Sequence, residues 1–404
     1  MTGADRPWAV LGGHVHTVGP AGVIRDGAVL VRGELLEAVL TRAELEATYP
    51  GVETLDLGQA CLMPGLVDAH THNLEFGPAT AYGAEGAQRP GAALRLLTEA
   101  RRAGVTALGE HVLGLSAEEG LDTYADWARP TGQTVRFAVG SCVIGTDPLA
   151  RMSAAADAMT DRTAPAGLAE LERLAELSQF PGENLFVTAT VGHLPAERAP
   201  LAGTLVTPAD DLARAVAAYH AAGQRIGAHT EGTAATLAFV RAGGDVVHHA
   251  DGLRPEAYPE LAAAGVTVCV TPAGGTGTAP ASPAQVLALH DAGIPVVIAT
   301  DAVLPFHQDS PWGGRGLLAL SGSLLELAWP TVRASAEQGR PVDEVLAMVT
   351  AEAAALLGIE AITGSLEPGK RADVVAVAGL HGGAVAEVMT VVCGGELVRG
   401  PGEG

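Results

Sequence analysis

Apolar positions along this chain recur in two styles. In residues 1–60 the stretches AVLGGHVHTV, GAVLVRGELLEAVL and VETLDLG alternate or stay apolar briefly, then break at Gly or Pro, which predicts short strands joined by turns. The same style returns near the other end as ADVVAVAGL and VMTVVCGGELVRG. Neither end buries much core alone, so the pattern predicts one small β-sandwich domain built from residues 1–60 plus 365–404. Between them, TEARRAGVTALGEH, AYHAAGQRIGAH, AFVRAGGDVVHH, ELAAAGVTVCV and ALHDAGIPVVIATD each join a helix end to a β-branched run. A glycine marks each joint (Gly104, Gly223, Gly243, Gly265 and Gly293), where it lets the chain enter the left-handed conformation that ends a helix.

Adding LMPGLVDAHTH, TVRFAVGSCVIG and ENLFVTATVGH gives eight strand candidates between residues 62 and 301. That number of βα units predicts an α/β chain whose residues 61–364 form a (β/α)8 TIM barrel. A doubly wound open sheet fits less well, because the glycine-rich phosphate fingerprint many such sheets carry after their first strand is missing.

Composition narrows the function classes. Acids outnumber bases 46 to 24, a formal charge of −22, which argues against nucleic acid and anionic membranes and leaves small neutral or cationic substrates open. Cys61, Cys142, Cys269 and Cys393 are scattered with no CxxC pair, which fits a reducing compartment. No secretory signal or run of ~18 apolar residues is visible, so the expectation is a cytoplasmic protein without a membrane span. Lys370 is the single lysine of the chain.

The sharpest chemical signal is PGLVDAHTHNLEFG. Residues two apart on a strand face the same way, so His70 and His72 can turn both imidazoles toward one metal ion. Their company strengthens this: His229 ends RIGAH, His249 ends DVVHH and Asp301 ends PVVIATD, and in a barrel such strand ends open on one face. Histidine and carboxylate suit zinc or another divalent transition metal, with iron, manganese or nickel also open. A second HxH, His14 and His16 in GGHVHTV, has no acidic or histidine partner nearby and reads as structural, as do His220 and His290 within helical stretches. Cys142 reads as a buried, inert thiol.

PGLVDAHTH, AHTEG, GGDVVHHADGL, ATDA and TAEAAALLGIEAITGSLEPGKRADVV together resemble the amidohydrolase superfamily of metal-dependent hydrolases along nearly the whole chain. The middle is most similar to the branch of imidazolonepropionases and Xaa-Pro dipeptidase-like enzymes, and DSPWGGRGLLAL resembles cytosine deaminase-like members. The resemblance implies that His70, His72, His229 and Asp301 are metal ligands. It implies that His249 rather than His248 is the sixth-strand histidine, since the family pattern sets it just before a small residue, here Ala250. It also implies a homodimer. Many binuclear members bridge two metals with a carboxylated lysine on the fourth strand; here that candidate, LFVTATVGHL, offers threonines and His193, so a lysine bridge is excluded. One metal is the simplest expectation, and Glu110 the substitute bridge should a second be present. Deaminase-type members place a glutamate three residues after the fifth-strand histidine; here that position is Gly232 and the acid is Glu231.

The expected activity is hydrolysis of a C–N bond in a small amide, cyclic amide or amidine through a metal-activated water. Asp301 would accept the proton and hand it to the departing nitrogen, while His249 steadies the developing negative charge. Glu110, His111, His193, Glu231 and His307 are expected to touch substrate or to support the ligands. The alternatives are a heterocycle aminohydrolase, a lyase or cyclase on the same metal site, and a non-catalytic scaffold relative.

Overall fold

A computed structural model describes residues 6–113, 120–140, 168–185, 203–205, 207–274, 278–303, 319–380 and 386–402. The first five strands are β1 (Trp8–His16), β2 (Val23–Arg32), β3 (Leu35–Thr41), β4 (Glu53–Asp56) and β5 (Cys61–Pro64). The central strands are β6 (Leu66–Thr71), β7 (Val105–Leu113), β8 (Thr134–Gly140), β9 (Gly227–Glu231), β10 (Val246–Asp251), β11 (Thr267–Val270) and β12 (Val296–Ile298). The chain closes with β13 (Val374–Ala378), β14 (Glu387–Cys393) and β15 (Glu396–Arg399).

Strands from both ends of the chain share one eight-stranded sheet, ordered β15-β14-β13-β5-β1-β2-β3 with β4 pairing β1. Its antiparallel β5–β13 pairing joins Leu62 to Ala376 and Met63 to Val375, tying the two terminal segments together. Val10, Val29, Leu62, Val374 and Val392 pack into one buried cluster on it.

The middle of the chain is parallel: β6-β7-β8 form one sheet and β12-β11-β10-β9 another. Strands β6, β9 and β10 are buried along their whole length, as parallel strands covered on both faces must be. Leu97, Tyr219, Phe239, Leu261, Leu289 and Trp329 from the surrounding helices join the sheet residues Leu66, Leu108 and Val268 in one apolar core. All five joint glycines take a positive φ, as the helix-to-strand pattern requires.

Thr71 of β6 bridges Ala302, just beyond β12, and Leu185, on the segment between the two parallel sheets, bridges Ala228 of β9. The expected fourth strand, ENLFVTATVGH, is described only through Leu185, which bridges Ala228 in parallel, its N–H donating to the Gly227 carbonyl at 3.1 Å and its carbonyl accepting from the His229 N–H at 2.8 Å. Ahead of it, the Gln179 N–H donates to the Phe137 carbonyl at 2.8 Å. Asn184 spans the gap: its amide nitrogen donates to the Val139 carbonyl at 3.1 Å and its oxygen accepts from the Gly227 N–H at 3.0 Å. A side-chain amide thus stands in for ladder bonds where Pro181 cannot donate. Phe186 onward to residue 202 lies outside the described residues.

Gly395, in the β14–β15 turn, sits at φ +78°, and an added Cβ there would overlap the Gly33 carbonyl oxygen. Gly22, at φ +62°, has open space around the same position. Gly22→Ala should cost about 1 kcal/mol from the left-handed backbone alone. Gly395→Ala adds a backbone clash that no rotamer relieves and should cost about 3 kcal/mol or more. Urea unfolding midpoints read the contrast; equal midpoints would contradict it.

Candidate metal centre

Five side chains singled out from the sequence converge on one buried point. The Nε2 atoms of His70 and His72 each lie 3.4 Å from Asp301 Oδ1. His249 Nδ1 lies 4.0 Å from Asp301 Oδ2. A sixth residue, absent from the sequence reading, sits among them: Glu183. Its Oε2 is 3.5 Å from His70 Nε2, and its Oε1 is 3.0 Å from His229 Nδ1 and 2.5 Å from His249 Nε2.

Local structure aims these groups. The Asp301 N–H donates to the His70 carbonyl at 3.0 Å, and the Thr300 N–H and hydroxyl both donate to the buried carboxylate of Asp68 at 3.0 and 2.6 Å. The end of the eighth strand is thereby stitched to β6. His249 and Asp301 adopt left-handed backbone, φ +66° and +58°, and the β9–β10 register shifts between His249 and Asp251. Such conformations are costly for non-glycine residues, and at a site they re-aim a side chain. Glu183 arrives through Pro181–Gly182, where a Cβ on Gly182 would collide with Ala138 and His111.

The donor set fits a divalent cation. His70 Nε2, His72 Nε2, Glu183 Oε2 and both Asp301 oxygens are buried without a hydrogen-bond partner. Buried polar atoms are otherwise nearly always satisfied, so this convergence of lone pairs calls for a positive charge. Four overlapping ligand groups each place one atom per residue within 4.8 Å: His70, His72 and Glu183; His70, His249 and Asp301; Glu183, His229 and His249; and, without a carboxylate, His70, His248 and Cys269. The ring of His72 is set by its Nδ1–H, which donates to the His111 carbonyl at 3.3 Å and leaves Nε2 bare. His249 Nδ1 pairs with the Thr271 hydroxyl at 2.7 Å.

Burial opposes the charge on Glu183, yet His70 and His249 beside it hold the carboxyl well below its usual range. The same contest, with His70, His72 and His249 as partners, leaves Asp301 strongly depressed. Burial would lower His249, but the Glu183 carboxylate outweighs it and raises the imidazole to about 9. Burial dominates at His248, lowered to about 3, and at His111, lowered well below the imidazole range.

The remaining candidates divide. Glu110 does not join the cluster: it accepts from the Thr71 hydroxyl at 2.6 Å, the Asn73 side chain at 2.9 Å, and the Asn73 and Leu74 N–H groups at 3.2 and 3.1 Å. Its carboxylate clamps the turn after His72 rather than standing between ligands. His111 stacks on the His70 ring, 4.1 Å between centroids, and meets the edge of Phe180. Glu231 is buried at the end of β9, in register with Asp251. His193 and His307 lie outside the described residues, as does Cys142. His16 pairs with Asp343 at 2.5 Å and His220 with Asp245 at 2.8 Å, away from the cluster. Among the described residues, no helix is long and apolar enough to cross a membrane.

The family model described as "Amidohydrolase family" matches residues 61–398. Over 80 residues the chain is 40% identical to an imidazolonepropionase from Ralstonia nicotianae, a match covering 18% of this chain and 20% of that protein. The stretches matched in curated relatives thus span only 11% to 20% of those relatives' lengths. The fold is similar to a Xaa-Pro dipeptidase with bound methionine in its active site (TM-score 0.69, 18% identity, 98% of this chain and 100% of that one). It is also similar to a zinc-bound adenosine deaminase from Xanthomonas campestris (TM-score 0.63, 21% identity, 98% and 94%).

The charge contest predicts the pH response of chelator-treated protein. Glu183 and Asp301 titrate lower folded than unfolded, so their contribution is present above ~4 and lost as the pH falls below it. His249, at about 9 against ~6.5 unfolded, contributes fully below ~6.5 and loses its contribution as the pH rises toward 9. His248 and His111 stay neutral when folded, so their contribution is lost as the pH falls below ~6.5, and the Tm of the stripped protein should therefore peak near pH ~6.5. A Tm that stays flat from there to pH 9 would contradict the assignment.

Proposed function

The chain belongs to the amidohydrolase family, and from that premise we propose that it is a metal-dependent hydrolase cleaving a C–N bond of a small amide, cyclic amide or amidine. The observation that carries the reading is Glu183, shared between His70 and His72 on one side and His229 and His249 on the other. This favours two divalent ions bridged by a glutamate over the single ion that the sequence suggested. His70, His72 and Asp301 would hold one ion and His229 and His249 the other. Zinc is our first assignment, on the imidazole and carboxylate donors.

A divalent ion so held supplies Lewis acidity and acidifies water at neutral pH. The protein's own groups do the rest. Asp301, held ionised by its imidazole neighbours, takes the proton of the attacking water and returns it to the leaving nitrogen. Glu183 spreads negative charge across the cluster, and Thr271 holds the His249 ring through Nδ1. Burial of the whole set keeps bulk water away and strengthens each of these interactions.

The placement of Glu231 at the position before Gly232 supports amide hydrolysis over a deaminase of the usual pattern. We further propose that the two parallel sheets are arcs of one closed (β/α)8 barrel over residues 61–364, with residues 1–60 and 365–404 forming the β-sandwich domain. The Thr71–Ala302 and Leu185–Ala228 bridges support the closure. A cytoplasmic homodimer acting on a neutral or cationic substrate completes the proposal.

Zinc reconstitution followed by elemental analysis should find two ions per chain, and Glu183→Gln should retain one or none. A panel of Xaa-Pro dipeptides, N-acyl amino acids and cyclic amides should show chelator-sensitive hydrolysis, with Asp301→Asn losing about 10²–10⁴-fold in kcat. Metal-free active protein, or near-normal turnover by Asp301→Asn, would overturn the reading.

A further inference from the structure

The tandem His248–His249 brings a second imidazole, that of His248, to the centre, which belongs to none of the carboxylate-bearing ligand groups and joins only the group of His70, His248 and Cys269 among the described residues. Adjacent side chains on a regular strand face opposite ways. The left-handed backbone of His249 breaks that alternation, and both rings stand 4.9 Å from the His70 ring. His248 Nδ1 lies 3.0 Å from His70 Nδ1, and His248 Nε2 lies 3.2 Å from the Pro181 carbonyl oxygen, all of it buried.

We propose that His248 is a positioning residue that fixes the tautomer of His70, presenting the bare Nε2 of His70 to the metal. The logic runs from the fixed end. A carbonyl oxygen only accepts, so the His248 Nε2–H donates to Pro181. A neutral imidazole carries one N–H, so His248 Nδ1 is an acceptor. The His70 Nδ1–H must then be the donor across the 3.0 Å contact, and His70 Nε2 keeps its lone pair. Without this relay the opposite tautomer gains ground, because a proton on His70 Nε2 would point at Asp301 and Glu183, 3.4 and 3.5 Å away. That arrangement would block the ligand position. The Pro181 carbonyl, in the same turn that delivers Glu183, thus sets one ligand while the turn supplies another.

The inference rests on the reading that the cluster holds a divalent ion, and the test separates the two. In protein labelled with ¹⁵N-histidine, long-range ¹⁵N–¹H spectra report which ring nitrogen is protonated, with His70 and His248 assigned by comparison with the His70→Asn and His248→Gln variants. His70 should carry its proton on Nδ1 and His248 on Nε2. His248→Phe should bind zinc about 10–100-fold more weakly with secondary structure retained. His248→Gln should recover most of the loss, since its amide oxygen accepts from His70 and its nitrogen donates to Pro181. A wild-type His70 protonated on Nε2 would overturn the proposal, and so would a folded His248→Phe that binds zinc as tightly as wild type. Should His248→Phe fail to fold, the wild-type spectrum decides alone. Wild-type protein that binds no zinc would overturn the metal reading and this inference together, whereas tight zinc binding by both proteins overturns this inference only.

Discussion

Two ionised carboxylates, Glu183 and Asp301, lie in a wholly buried setting, and the rest of the site answers to that fact. Taking such charges out of water costs several kcal/mol each unless positive charge comes within a few ångströms. Four imidazoles supply the nearest contacts, at 2.5 to 3.5 Å. In the absence of an ion the carboxylates favour protons on His249 and His72, both raised, while burial lowers His70. Ions and protons therefore compete for the same lone pairs, which couples occupancy of the centre to pH.

The fold makes this arrangement affordable by placing the histidines and Asp301 at or just beyond the ends of buried strands, with Glu183 on the segment between β8 and β9. β6, β9 and β10 are buried throughout, so their backbones are rigid when they reach the site. Beyond the strands, polar side chains take over from the ladder. Asp68 holds Thr300 next to Asp301, Glu110 holds the turn after His72, and Asn184 holds the segment carrying Glu183. Three buried side chains that touch none of the reacting groups thus fix the three places where chain direction changes.

Much of this was legible in the sequence, and the failures have identifiable physical causes. Histidines and an aspartate at the ends of β-branched runs stood out because strand ends in a parallel sheet share one face. Glu183 did not, because it precedes the apolar run LFVTATV rather than ending one, and PGEN reads as an ordinary turn. The pairing of that segment depends on an asparagine side chain and a proline carbonyl, which leave no hydrophobic period to detect. Glu110 ends an apolar run as well, and its carboxylate, in register with buried Thr71, holds the turn after His72. The left-handed turn at His249 was equally invisible, since alternation alone assigns only one of two adjacent histidines to a face.

The proposed glutamate bridge, where other family members use a carboxylated lysine, would carry a geometric cost that accounts for the local backbone. A carboxylated lysine reaches several bonds farther from its Cα than a glutamate does, so a glutamate bridge requires the main chain itself to move inward. The segment Pro181–Gly182–Glu183 does so: Gly182 stands where any Cβ would strike Ala138 and His111, and a Cβ at Gly140 would strike the Glu183 backbone. Glycines at 140 and 182 are thus the steric counterpart of the carboxylate at 183. The only lysine, Lys370, is held by Glu367 and Ser365 in the turn before β13, remote in sequence and structure from the centre. In the proposed bridge the negative charge is encoded in the chain and needs no modification to appear, and the close approach of the backbone is what brings the Pro181 carbonyl within reach of His248.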